Sequence, residues 1–338
     1  MKNATTSEPA SPARPALIDR FGRVKKKLRL SLTDRCNYRC LYCMPECPVW
    51  RSRTDLLRFE ELHALVARFV GKFGIEQVRL TGGEPLVRKG VARFVEMLQS
   101  VRPAGLKRVS LSTNGAMLAR AAAPLAAAGL DDVNVSLDAL SPEMFSQMTG
   151  GGRVHEVLRG IESARRAGLR VKINAVIIRG LNQEQVVPLT EWAAAEDLPL
   201  RFIEFMPLDG RGFWSEDKVV AEKEILASVS ERFDVSALPR TSDPASYYLL
   251  DSRFRLGIIA TVSNPFCASC DRVRLTADGR LFSCLFAPAG IDLRKALRAG
   301  RFDAVDSLVR DATWNKPRGF IERCNRGRAE VSMNVLGG

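Results

Sequence analysis

Between Leu28 and about Met206 the chain alternates short β-rich runs with longer amphipathic stretches, and this rhythm restricts the fold more than any other feature. The predicted strands are LRLSL (28–32), QVRLT (77–81), RVSLS (108–112), VNVSL (133–137), VKINAVII (171–178) and LRFIEF (200–205). Between them, FEELHALVARFVGKFG sets Phe59, Leu62, Leu65, Val66, Phe69 and Phe73 on one helical face. AMLARAAAPLAAAG and VHEVLRGIESARRAG each end in the glycine that commonly follows a helix. Strand–helix alternation makes parallel βαβ units. Six of them fit a partial barrel or a doubly wound sheet. Either architecture gathers its chemistry at the C-terminal ends of the strands. Polar stretches stand just there: TDRC, TGGEP, STNG, LDA and EFMP.

The rhythm stops at both ends. Residues 1–16 are rich in Pro, Ala and Ser and predict a disordered tail. They lack the apolar core of about 7–15 residues that a secretory signal needs. No stretch approaches the roughly 20 apolar residues of a membrane span. The expected location is therefore the cytoplasm, where cysteine clusters hold metal or do chemistry more often than they form disulfides. Residues 17–215 read as the barrel. Residues 216–338 read as a smaller α+β region, with a helix in VVAEKEILASVSERF, short strands in RLGIIATVS, RVRLT and RLFSC, two more helical pieces and a basic end. The net charge of +13 points to anionic company, either nucleic acid or a polyphosphate, unless it is a dispersed solubility charge.

Eight cysteines and two histidines narrow the chemistry. Cys36, Cys40 and Cys43 lie on one loop after the first strand, spaced C-x3-C-x2-C. Three thiolates on a tight loop suit zinc or an iron–sulfur cluster. Structural zinc wants four ligands, commonly from two separated pairs, and neither His63 nor His155 has ligand-type neighbours. Cys47, followed by Pro48, makes the run resemble a ferredoxin segment, so an electron-transfer reading stays open. We take Cys47 as a non-ligand. A four-iron cluster on three cysteines keeps one iron open, the mark of a catalytic metal.

CNYRCLYC resembles the signature of radical S-adenosylmethionine (SAM) enzymes. The resemblance implies that the open iron chelates the methionine end of SAM and that the reduced cluster cleaves it to a 5′-deoxyadenosyl radical. It also implies SAM contacts at Tyr42 beside the third cysteine, at Gly83 and Glu84 in TGGEP, at Ser136 in NVSLDA and at Met206 in EFMP. The glycines of TGGEP let a backbone come close, with free carbonyls and amides for the ligand.

A second set, Cys267, Cys270 and Cys284, has the spacing C-x2-C-x13-C. Four-cysteine zinc with Cys324 is one reading, and a second open-iron cluster is the other. Arg272 and Arg274 follow, two apart on a strand and so on one face, an anion clamp beside the metal. With LRLSLTDRCNYRCLYCMP, VRLTGGEPL, STNG, NVSLDAL, RFIEFMP, GIIATVS, FCASCDRVRL and the final GG, residues 17–338 resemble the GTP 3′,8-cyclases of molybdenum cofactor biosynthesis. That implies a partial (βα)6 radical-SAM barrel with a C-terminal α+β region. It implies two [4Fe-4S] clusters and SAM as cofactors, and GTP as substrate. The activity would be a lyase reaction forming (8S)-3′,8-cyclo-7,8-dihydroguanosine 5′-triphosphate. The substrate-binding residues would be Arg29, Arg79, Ser112, Lys172, Arg272, Val273 and Arg274, and the catalytic ones Arg201, Arg272, Arg274, Gly337 and Gly338. Expected partners are a flavodoxin- or ferredoxin-type electron donor and a downstream cyclic pyranopterin monophosphate synthase. No nucleic acid and no membrane are expected, and the chain would be a monomer or homodimer. Two alternatives compete. One is a radical enzyme acting on a peptide or RNA. The other is a non-enzymatic zinc or nucleic-acid-binding module, which predicts salt-dependent binding.

Overall fold

Along the first four strands apolar and polar residues alternate, and the alternation decides which face of the sheet each meets. Leu28, Leu30, Val78, Leu80, Val109, Leu111, Val133 and Val135 are fully buried in one apolar core that includes the helices. Arg29, Arg79, Ser110, Ser112, Asp132 and Asn134 occupy the intervening positions. The computed structural model describes residues 16–208, 211–241, 243–320 and 331–337. The expected N-terminal tail (apart from Ala16), Cys324 and Gly338 lie outside the described residues.

Six parallel strands form in chain order: β1 (Lys27–Ser31), β2 (Gln77–Thr81), β3 (Arg108–Thr113), β4 (Asp132–Ser136), β5 (Arg170–Ile177) and β6 (Leu200–Glu204). Helices α1 (Phe59–Phe73), α2 (Val91–Gln99), α3 (Leu118–Ala127), α4 (Pro142–Thr149), α5 (Val154–Arg166) and α6 (Val186–Ala195) connect them. Helix α1 buries Leu62, Leu65, Val66, Phe69, Val70 and Phe73, close to the predicted face, and ends at Gly74 in the left-handed conformation.

The last third of the chain does not stand apart from this sheet. After α7 (Glu222–Ser230) come β7 (Val235–Ala237), β8 (Ser246–Leu250), β9 (Phe254–Ile259), β10 (Arg272–Leu275), β11 (Arg280–Phe282) and β12 (Ile291–Asp292). Helices α8 (Arg294–Arg298) and α9 (Phe302–Trp314) and a short helix, Met333–Leu336, follow. Strand β9 adds parallel to β6 and β10 adds parallel to β1. Antiparallel β8–β7 and β11–β12 extend the two edges, so among the described residues the open sheet has twelve strands. An open barrel of six strands has two unpaired edges, and the late strands satisfy both. The sequence reading does not anticipate the short β7 and β12, nor β8, of whose five residues only Leu250 is buried.

Candidate functional site

Strand register assembles the site. Arg29 lies beside Arg274 on one side and Arg79 on the other. Further up, Ser112, Asn134 and Lys172 stand abreast, and Ser136, Asn174, Arg201 and Gly257 form another row. All face the concave side, opposite the helices. Arg201 donates to Asn174 Oδ1 at 3.0 Å. A Cβ at Gly257 would come within 2.8 Å of Arg201 Cγ, so only glycine leaves room for that arginine.

This lumen is crowded with like charge. Burial first, then Arg274, Arg79, Arg272 and Arg201, push the Arg29 guanidinium well below the usual arginine range. Burial and Arg201 bring Arg79 down to about 10, and burial and Arg272 bring Arg274 to about 10. Burial and then Arg201 and Arg108 lower Lys172 to about 8. A guanidinium does not give up its proton in a protein, so the repulsion is retained as demand for an anion. Among the described residues, buried Arg79 Nη1, Arg201 Nη2 and Arg272 Nε have no hydrogen-bond acceptor. Asp132 is an acid within this field, bonded to Arg108 Nε at 2.5 Å.

The first cysteine loop and TGGEP are laced together above β1 and β2. Leu32 N donates to Thr81 O (2.9 Å), Gly83 N to Thr33 O (2.9 Å) and Glu84 N to Arg35 O (2.8 Å). A Cβ on Gly83 would meet Arg35 O at 2.5 Å, and one on Gly82 would strike Thr33 O. The close backbone approach is thus loop to loop. This corrects the expectation that amides of TGGEP stand free for a ligand: those of Gly83 and Glu84 are spent. The Glu84 carboxylate is wholly buried and accepts from Leu86 N (2.9 Å), Thr113 Oγ1 (2.9 Å) and Asn114 N (2.7 Å). Burial lifts its carboxyl to about 7, against those bonds. Asn114 in turn points Nδ2 at Cys36 Sγ, 3.7 Å away.

Among the described residues no three His, Cys, Asp or Glu side chains already stand as a formed metal site, so the fit of this loop to a metal is one of chemistry, three thiols within eight positions. Burial pushes the Cys36 thiol up to about 11 and Cys43 to about 12, and holds Cys40 well above the thiol range. The sulfurs are near enough that Cys43 and Cys36 raise Cys40 and that Cys36 raises Cys43, and Glu84 and Asp138 add negative charge. Three buried thiolates need bound positive charge to form, which iron supplies. Tyr42, next to Cys43, donates its hydroxyl to Asp138 Oδ2 at 2.6 Å. Ser136 and Met206 are partly exposed at the C-terminal ends of β4 and β6.

Cys267, Cys270 and Cys284 gather where β10 and β11 adjoin the lumen, close enough that Cys270 and Cys284 both raise Cys267. Burial pushes Cys270 up, but Lys316 and Arg272 outweigh it and bring the thiol down to about 6. A thiolate is thus already favoured there, as an iron ligand must be. Arg274 donates to Gly337 O, tying the C-terminal segment to β10. Asn334 Nδ2 donates to Asp34 O (3.2 Å) and Met333 N to Leu208 O (3.2 Å). The tail therefore runs across the barrel mouth, and a Cβ on Gly337 would collide with Thr81 Oγ1.

The structure brings Arg29, Arg79, Ser112, Lys172, Arg201, Arg272, Arg274 and Gly337 to one lumen between the two cysteine sets. It does not bring the Val273 side chain there. Val273 is fully buried on the opposite face of β10, because neighbouring strand residues point apart. Sequence reasoning missed Asn114, Asp132, Asn134, Asn174 and Lys316. The first four sit on strands or a strand end already flagged, and period-two alternation from Ser112, Ser136 and Lys172 would have found three of them. No local signal marks Lys316.

Residues 30–193 match the radical SAM superfamily and residues 198–328 match the molybdenum cofactor synthesis C domain. A solved structure of Streptococcus suis SuiB bound to S-adenosylmethionine superposes with a TM-score of 0.58, covering 88% of this chain and 66% of that one at 11% identity. Native anSMEcpe with bound AdoMet superposes at a TM-score of 0.50 and 22% identity, over 61% of this chain and 59% of that one. This chain thus spans less than two thirds of either structure, and the likeness shows the fold alone: a partial barrel of radical SAM type. Curated relatives reach further. GTP 3′,8-cyclase of Streptomyces coelicolor is 47% identical over 95% of this chain and 96% of its own length. That of Paracoccus denitrificans is 43% identical over 97% and 98%. GTP 3′,8-cyclase 2 of Mycobacterium tuberculosis is 43% identical over 97% and 93%. With such identity over nearly the full length, and with both domains in order, the chain belongs to the GTP 3′,8-cyclase family of radical SAM proteins.

Proposed function

We propose that this chain is the lyase that converts GTP to (8S)-3′,8-cyclo-7,8-dihydroguanosine 5′-triphosphate, the first step of molybdenum cofactor biosynthesis. One observation carries the substrate. A row of under-compensated cations, Arg274–Arg29–Arg79 with Lys172, Arg201 and Arg272, lies between two cysteine sets. A triphosphate supplies the missing charge, and arginine forks bind phosphate oxygens in pairs.

Cys36, Cys40 and Cys43 would hold the [4Fe-4S] cluster that binds SAM, and Cys267, Cys270 and Cys284 a second one. The first cluster with SAM, when bound, supplies hydrogen-atom abstraction at the ribose. The chain's own residues orient and shield. Glu84, through Asn114 and the paired loop amides, sets the cysteine loop in register with TGGEP. Ser136, Met206, Tyr42 and the Gly82–Gly83 backbone would line the SAM side. The lumen cations hold the triphosphate, so that the ribose has one orientation relative to SAM, which is what makes abstraction selective. Arg274 holds Gly337 over the mouth and, with Gly338, the tail would keep water from reactive species. An external flavodoxin- or ferredoxin-type protein would donate electrons, and a cyclic pyranopterin monophosphate synthase would take the product. We place the chain in the cytoplasm, as a monomer or homodimer. Among the described residues, no helix is long and apolar enough to cross a membrane.

The test follows a deuterium. The chain is reconstituted anaerobically with iron and sulfide, then given reductant, SAM and GTP deuterated at C3′. Deuterium in the 5′-deoxyadenosine, read by mass spectrometry, is the expected result. Unlabelled 5′-deoxyadenosine would transfer the reading to a peptide or RNA substrate. Zinc without iron, and no 5′-deoxyadenosine, would leave a binding module.

A further inference from the structure

The second cysteine set is wrapped by buried cations that the substrate site does not employ. Lys316, just past α9, is only 2% exposed. Its ammonium donates to Cys270 Sγ at 3.3 Å, to Arg272 O at 2.8 Å and to Ser283 O. An ammonium has three donors, so each is spent, one of them on sulfur. Lys25 is fully buried and donates to Cys270 O at 2.7 Å while pairing with Asp19 at 2.8 Å. Arg23 donates to Cys267 O (2.8 Å), Arg318 O (2.7 Å) and Pro317 O (2.8 Å), and pairs with Asp19 at 2.6 Å. Arg23 and Lys25 therefore share one carboxylate, Asp19, while all three donors of Lys316 go to Cys270 Sγ and two backbone carbonyls, so the uncompensated positive charge is directed at the Cys267–Cys270 loop. Buried charges are normally paired or face a metal centre. Here the sulfur side is where compensation has to come from.

We propose that Lys316, on a segment that Arg23 holds through the carbonyls of Pro317 and Arg318, is a positioning residue that fixes Cys270 and favours the reduced state of the iron–sulfur cluster on Cys267, Cys270 and Cys284. This rests on the reading of those three cysteines as cluster ligands. Reduction takes one electron from the external donor, makes or breaks no bond and moves no proton, and adds one negative charge to the cluster. A fixed ammonium on a ligand sulfur stabilises that added charge, and hydrogen bonds to sulfur and local charge are established controls of cluster potential. The same ammonium grips Arg272 O and Ser283 O, next to Cys284. Two ligand cysteines and the strand presenting Arg272 and Arg274 to the lumen are thus held as one unit.

The experiment uses the full chain with Cys36→Ser, Cys40→Ser and Cys43→Ser, so that only the second set takes up iron. Iron and sulfide are counted after anaerobic reconstitution, and the midpoint potential is read by EPR-monitored titration, with and without Lys316→Met, Lys316→Gln or Lys316→Arg. The expected result is retained iron and a more negative midpoint in Lys316→Met and Lys316→Gln. On the order of tenfold less reduced cluster at a matched potential equals 59 mV for one electron. Lys316→Arg, which keeps the charge, should stay near the parent. Iron-replete Lys316→Gln or Lys316→Met with an unmoved midpoint overturns the proposal. So does loss of iron in all three variants, which leaves Lys316 as a structural bolt only. No iron in the parent itself overturns the cluster reading, and the proposal with it.

Discussion

Single side chains carry the substrate argument. Arg79 has a buried Nη1 with no acceptor, and GTP would supply one. Arg79→Ala should weaken GTP binding by about 1.5–3 kcal/mol, the scale of a charged hydrogen bond, in equilibrium titration. Unchanged affinity would take Arg79 out of the site. Lys172 makes a pH prediction. Its ammonium titrates near 8 because burial and Arg201 disfavour the charge. A bound triphosphate favours the charged form and raises that value. GTP affinity should therefore be full below pH 8 and fall above it, on the order of tenfold between pH 7 and pH 9, until the bound-state value is passed. Lys172→Met should flatten the profile, and a parent profile already flat would exclude Lys172. These arginines and this lysine were legible in short motifs. Asn134 and Asp132 lie on the face that period-two alternation from Ser136 assigns, but their part in the site was not legible, since a lone polar residue on a strand has no chemistry until its neighbours across the sheet are known.

At the level of elements, glycines decide how closely pieces approach. Gly160 lies on α5 against α3, and a Cβ there would meet Gly115 O at 2.7 Å and Leu118 Cβ at 3.0 Å. Gly160→Val should destabilise the fold by about 1–3 kcal/mol through overpacking, seen as a lower midpoint in thermal or denaturant unfolding. A midpoint as high as the parent's would mean that α3 and α5 slide apart freely. The six barrel strands were legible to within a residue or two at each end, because apolar alternation and Gly-ended helices punctuate them. β7 and β12 were not, because they are short strands at the sheet edges that bury little, and β8 was not, because only Leu250 of its five residues is buried.

For the whole molecule, the late third of the chain is structural as well as chemical. Strands β9 and β10 close both flanks of the six-stranded barrel and bring Arg272, Arg274 and the second cysteine set to a lumen that β1–β6 begin. The C-terminal segment then returns to Asp34, Leu208 and Arg274. Deleting Gly337 and Gly338 should spare iron content and uncoupled 5′-deoxyadenosine formation but reduce cyclised product at least about tenfold, the cost expected when a reacting group is misplaced by about an ångström. Equal loss of both products would show that the tail serves stability instead.

The sequence by itself determined the parallel βα order, the two cysteine sets and most of the lumen cations, because each is written in local spacing or period. Only the tertiary structure decided what faces what. It set β10 beside β1, spent the TGGEP amides on the cysteine loop, turned Val273 into the core and brought Lys316 to Cys270. Those pairings join residues tens to hundreds of positions apart. They exist only because unpaired strand edges, buried charge and close glycine contacts must all be satisfied in one packed arrangement.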